Sequence, residues 1–145
     1  MPDDDWDAPT PCNEWDARAL VEHVIGFHEV LLLQPNGIKA HRPREGPAAR
    51  WRATQDAMFA EVGDDTPILA ALTTDVLVHT WDLATATGLD PSLDLDLVAA
   101  AYESVRGAEL PRASGMFGAE VAVGEGAPIV ERLVAYSGRD PHWTP

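Results

Sequence analysis

Asp75 and His79 stand four residues apart in the run Asp75-Val76-Leu77-Val78-His79-Thr80-Trp81-Asp82-Leu83. On a helix that spacing puts a carboxylate and an imidazole one turn apart on one face. The same face carries Leu72, Ala86 and, at its edge, Leu83, so it turns toward a core. A carboxylate and an imidazole aimed inward need partners, because unpaired burial is expensive. They can bond to each other, Asp75 can accept a local backbone bond, or both can sit at a wet edge. The chemical alternative is a pair of metal ligands facing the interior of a helical bundle. His23 extends that alternative, since it lies between Leu20 and Phe27 inside the apolar stripe of an earlier helix. His23, Asp75 and His79 would supply two nitrogens and one oxygen and leave a coordination position open for water or substrate. Zinc suits such a set, and so do nickel, iron and cobalt. Asp82 follows His79 by three residues near the same face. It is the candidate to orient a ligand from behind or to contact a bound cofactor; a surface carboxylate or a contact to the chain near Thr10 is equally open.

These residues need helices to hold them. Asp16 is an N-cap signal for a helix over residues 17–33, in which Leu20, Val24, Phe27 and Leu31 recur at helical spacing. Pro35-Asn36-Gly37 ends it, and residues 36–47 read as a loop. A second helix is expected over residues 47–62, with Trp51, Ala57 and Met58 inward. Thr66-Pro67 opens a third that runs to Gly88, with Ile68, Leu72, Val76, Leu83 and Ala86 inward. A fourth is expected over residues 94–109, burying Leu97, Val98, Ala101, Tyr102 and Val105. Residues 116–123 read as a short extended segment and residues 128–136 as a small extra helix. The fold expected is all-α, an antiparallel four-helix bundle with that extended segment and small helix appended.

The 145 residues fit one domain, residues 1–145, and 46% of them are hydrophobic, a globular composition. Asp and Glu number 24 against 10 Lys and Arg, a formal charge of −14. That balance opposes binding to nucleic acid or to an anionic membrane surface. One cysteine excludes an internal disulfide, and an acidic N-terminus without an apolar run is unlike a signal peptide. A cytoplasmic location follows as the expectation. No phosphate-binding glycine loop, nucleophile elbow or dinucleotide fingerprint is present.

Pro9-Thr10-Pro11-Cys12-Asn13-Glu14-Trp15-Asp16 and Leu20-Val21-Glu22-His23-Val24 resemble the first helix region of DinB-like proteins. The closest resemblance is to the metal-binding N-terminal domain of mycothiol-dependent maleylpyruvate isomerase. His79-Thr80-Trp81-Asp82-Leu83-Ala84 and the tail Gly138-Arg139-Asp140-Pro141-His142-Trp143 resemble the same family in the same order. The resemblance implies a DinB-like four-helix bundle holding a divalent metal, zinc ahead of nickel. Its ligands carry over to His23, Asp75 and His79, with Asp75 standing where the isomerase has a glutamate. It also implies mycothiol or another low-molecular-weight thiol as cofactor. A metal-bound thiol is deprotonated outright and becomes a nucleophile at neutral pH. The expected function is therefore a metal- and thiol-dependent transferase or isomerase acting on a small electrophile, with a homodimer left open. The alternatives are a metal- or small-ligand-binding module without catalysis, and a metal-free helical domain acting through a protein partner.

Cys12 is a candidate nucleophile, though Glu14 and Asp16 nearby would raise its pKa, and a buried packing role competes. Lys39, Arg42, Arg44, Arg50 and Arg52 crowd one stretch with His41. They are readable as an anion clamp or as a solvated face. His28 and His41 have no partner at ligand spacing, and His142 beside Trp143 is expected to pack the tail over the bundle end.

Overall fold

The computed structural model describes residues 3–63, 66, 68–113 and 115–145. A single 3-10 turn, Asp3–Asp7, leads through an antiparallel bridge between Pro9 and Asp16 into helix α1, Ala17–His28. Asp16 caps it as expected, its carboxylate accepting from the Ala19 N–H at 2.8 Å, a contact of the kind worth about 1 kcal/mol. The helical run continues to residue 33, but its last five residues, Glu29–Leu33, form a π turn closed by Gln34 N–H to the Glu29 carbonyl. Glu29 is buried there and ion-paired to Arg42 at 2.6 Å and Arg50 at 3.5 Å. Arg50 also pairs with Glu22. Two cations of the basic stretch therefore pin the loop and the next helix to α1.

Helix α2, Pro47–Glu61, starts at its proline as predicted, but it lies shallow. Trp51, Ala57 and Met58 are only half-buried, and the residues it buries are Pro47 and Thr54. Helix α3, Leu69–Thr87, begins later than residue 66, because Thr66 is spent on a turn in which its hydroxyl donates to the Gly63 carbonyl. Pro67, the expected first-turn proline, lies outside the described residues. The other end is as expected: Gly88 takes the left-handed conformation at φ 67°, and Leu89 N–H closes on the Ala84 carbonyl.

α3 is the central helix. It packs on α1 along one side and on α4, Leu95–Val105, and α6, Ile129–Tyr136, along the other. That placement buries Leu77, Val78 and Trp81, which a single-stripe reading of α3 assigns outward, and leaves Val76 and Leu83 half-buried. Leu77 and Val78 join Val98, Ala101, Tyr102, Val105, Leu133 and Tyr136 in one core cluster. Leu97 is 45% exposed rather than inward. α4 stops four residues before 109, because Gly107 turns the chain at φ 79° and its N–H donates to the Tyr136 hydroxyl.

A short helix α5, Leu110–Ala113, precedes a segment that has no strand pairing among the described residues. Single backbone bonds tie that segment to the end of α6, Gly118 N–H to Ser137 O and Val121 N–H to Ala135 O. The elements are thus helical throughout the described residues, and none is long and apolar enough to cross a membrane.

The tightest backbone contact lies where the tail leaves α6. Gly138 has φ 95°, and a Cβ there would meet the Gly118 Cα at 2.7 Å. Gly138→Ala is expected to lower stability by about 2–4 kcal/mol, from backbone strain and overpacking together. Gly126→Ala, at a position with open space and no positive φ, should leave the denaturant midpoint close to wild type. Equal midpoints for the two variants would contradict this account of the turn.

Candidate metal centre

α1 and α3 bring His23, Asp75 and His79 together. One oxygen of Asp75, Oδ1, lies 3.4 Å from His79 Nε2 and 3.7 Å from His23 Nε2. One donor atom from each residue lies within 4.8 Å of the other two. Two donors bound to one zinc at tetrahedral angles sit ~3.3 Å apart, so the spacing is close to that of a ligand set. The second oxygen, Asp75 Oδ2, is buried without a hydrogen-bond partner. An orphaned buried carboxylate oxygen is costly, and a cation bound between these groups would satisfy it. The donor set, its spacing and this orphan all fit a divalent metal.

Each imidazole is held differently. His79 is fixed by hydrogen bonding: its Nδ1–H donates to Asp82 Oδ2 at 2.9 Å. Because the carboxylate only accepts, that bond puts the proton on Nδ1 and leaves Nε2 to face Asp75. Asp82 is fully buried and is itself gripped by Arg139, through Nε at 3.3 Å to both oxygens and Nη2 at 3.1 Å. Arg139 also donates to the Ser137 carbonyl. His23 is fixed by stacking, with Trp15 on one ring contact at 4.3 Å and Phe27 on another at 5.5 Å. Trp15 is delivered by a loop that the Thr10 hydroxyl closes, donating to the Trp15 carbonyl at 2.7 Å.

The three candidate ligands open onto a cavity of about 530 Å³. Cys12 lines it as well, half-buried. Burial pushes the Cys12 thiol up; Asp82 and Glu14 add to that, and Arg139 opposes it. The thiol therefore stays protonated at neutral pH. Asp82 does not line the cavity; it sits behind His79. Of the other histidines, His28 is buried, bonded through Nδ1 to the Val24 carbonyl and set edge-on to Trp51. His41 and His142 are exposed, so His142 does not pack the tail over the bundle end as expected, and Trp143 beside it is half-buried. Arg42 and Arg50 are spent on Glu22 and Glu29, and no residue of the basic stretch lines the cavity. Arg139 and the stacking role of Trp15 are invisible to helical periodicity, since both lie outside helices. The aromatic tail was the one signal that residues near Arg139 are not solvated.

The electrostatics of the metal-free site set a pH dependence. Burial by itself would raise the Asp75 carboxyl, but His23 and His79 more than offset it and hold it at about 2. Burial likewise opposes the charged form of His79, and the carboxylates of Asp75 and Asp82 outweigh it, raising its pKa. A lowered carboxyl contributes stability that is present above its unfolded value, ~3.9, and is lost as pH falls toward 2. A raised imidazole contributes stability that is complete below ~6.5 and is lost as pH rises through its folded value. With chelator present, stability should therefore be greatest between about pH 4 and 6.5 and decline on both sides, by about 2 kcal/mol on the acid side. Asp75→Asn should flatten both flanks in denaturant titrations across pH. A profile unchanged by that substitution would contradict the assignment.

Residues 1–67 match the mycothiol maleylpyruvate isomerase N-terminal domain. The match takes in His23 and stops before Asp75 and His79. Two Mycobacterium tuberculosis proteins are also similar, uncharacterized protein MT0763 of strain CDC 1551 / Oshkosh and uncharacterized protein Rv0738 of strain ATCC 25618 / H37Rv. Each is 33% identical over 153 residues, covering 90% of this chain and 83% of its own. No solved structure matches the chain. With the resemblance of its first helix matched over that stretch and relatives aligned along most of its length, the chain belongs to the mycothiol maleylpyruvate isomerase N-terminal domain family.

Proposed function

We propose that this chain is a single-domain, divalent-metal-binding protein of the cytoplasm that uses a small thiol of the mycothiol type against a small electrophile, as a transferase or isomerase. In this reading α1 to α4 form a DinB-like four-helix bundle, and His23, Asp75 and His79 hold the metal, zinc ahead of nickel. The observation that carries it is the convergence of His23 Nε2, His79 Nε2 and Asp75 Oδ1 beside an unpartnered Asp75 Oδ2. Two nitrogens and an oxygen leave a position open toward the cavity, the pattern of catalytic zinc rather than of structural zinc.

A divalent cation in that position supplies Lewis acidity, which makes a thiol or water available as a nucleophile at neutral pH. The chain's own residues do the rest. Asp82 holds His79 in the tautomer whose Nε2 is free, and Arg139 holds the Asp82 carboxylate in position by hydrogen bonds. Trp15 and Phe27 hold the His23 ring between them. Val78, Val105 and Phe117 are among the cavity walls beside the reacting groups. Cys12, protonated by its surroundings, has no part in this scheme as nucleophile.

Elemental analysis of protein purified without a histidine tag tests the metal. About one equivalent of zinc or nickel is expected in wild type and a loss of most of it in His23→Ala and His79→Ala, with Cys12→Ser unaffected. Folded wild-type protein that takes up neither metal after incubation with both would end this reading. Addition of mycothiol to the cobalt-substituted protein should then produce a thiolate-to-cobalt charge-transfer band. Its absence would leave a metal-binding module without thiol chemistry.

A further inference from the structure

We infer that the cavity selects a ligand with one anionic donor and an otherwise uncharged body, and that it discriminates against dicarboxylic acids. The inference rests on the metal reading for the donor, and on the cavity wall alone for the body. That wall combines apolar residues, Trp15, Phe27, Val78 and Phe117 among them, with the uncharged polar residues Asn13 and Thr74. Arg139 is the one Lys or Arg among the described residues that line it. Arg139 is 7% exposed, and its guanidinium is already committed, with Nε and Nη2 on Asp82 and Nη1 on the Ser137 carbonyl. The Arg139–Asp82 pair is therefore neutral as a unit and has no uncompensated charge to offer a substrate. The cations that could have served an acidic ligand are elsewhere, Arg42 and Arg50 being paired with Glu22 and Glu29.

The remaining charges fix the rest. A dication balanced by Asp75 leaves a net charge of +1, which one anionic donor neutralises. Each further carboxylate would lose hydration in a cavity with no free counter-charge to replace it. It would also approach Glu14, which lines the same cavity, on a chain whose formal charge is −14. Opposition from an uncompensated like charge within several ångströms amounts to tenfold or more in affinity, by order of magnitude.

Calorimetry on zinc-loaded wild-type protein, with benzyl mercaptan and mercaptosuccinate as probes, reads the difference. Benzyl mercaptan is expected to bind at least about tenfold more tightly. Equal or tighter binding of mercaptosuccinate overturns the inference. Met116 is 42% exposed at the cavity, so Met116→Arg adds a cation there without disturbing the core. This variant should raise mercaptosuccinate affinity by about tenfold and leave benzyl mercaptan unchanged. No gain for mercaptosuccinate counts against the charge argument. If zinc is not taken up, the metal reading fails on zinc content, and the wall is judged on the metal-free protein. There, saturable shifts of the Trp15 indole N–H with benzyl alcohol and none with succinate support the inference. Succinate binding as tightly, or no benzyl alcohol binding, overturns it.

Discussion

A carboxylate held almost out of water between two imidazoles is the constraint around which this protein is arranged. Asp75 keeps 9% of its side-chain surface exposed, too little for water to solvate a full charge. Leaving that charge unpaired would cost several kcal/mol. The chain meets the cost with His79 one turn further along α3 and with His23 from α1. The second of these is possible only if α1 lies along the same side of α3, which is where it packs. The helix pair and the site therefore impose the same requirement.

From that centre the dependence runs outward in two directions. Behind His79 lies Asp82, then Arg139, then the Ser137 carbonyl, so the turn after α6 is anchored to a residue of α3 57 positions earlier. The close approach of Gly138 to Gly118 lets the chain make that turn. Phe117 and Gly118, which the turn holds, form part of the cavity wall. On the other side, His23 is held by flat aromatic contacts and keeps 30% of its side chain exposed. Stacking restrains the ring plane while permitting small movements within it, whereas a hydrogen bond from a buried carboxylate fixes a direction. His79 is thus the rigid ligand candidate and His23 the adaptable one.

Much of this was legible in the sequence where local rules govern. The Asp16 cap and the Gly88 terminus each follow from a side chain or backbone acting on its own neighbours, and they fall where predicted. Asp75 with His79 is likewise a local pattern, and His23 was found because a histidine interrupted an apolar stripe. What was not legible depends on three-dimensional context. α3 is covered on two sides, so no single stripe describes it, and Val78 faces the core as firmly as Leu72 does. The early end of α4 turns on Gly107, whose left-handed backbone ends the helix before its apolar pattern does. The cations of residues 39–52 are readable from sequence as an anion clamp or as a solvated face, and only packing shows that Arg42 and Arg50 answer acids on the α1 run. Arg139 could not be assigned at all, since nothing local connects it to Asp82.

The central claim is that these three side chains are a ligand set for one divalent metal. X-ray absorption at the zinc edge of the zinc-loaded wild-type protein, without added thiol, tests it most directly. A first shell of nitrogen and oxygen at ~2.0–2.2 Å is expected, with outer-shell scattering from two imidazoles and no sulfur. A sulfur at ~2.3 Å, which only Cys12 or a methionine could supply, or scattering from fewer than two imidazoles, would contradict it.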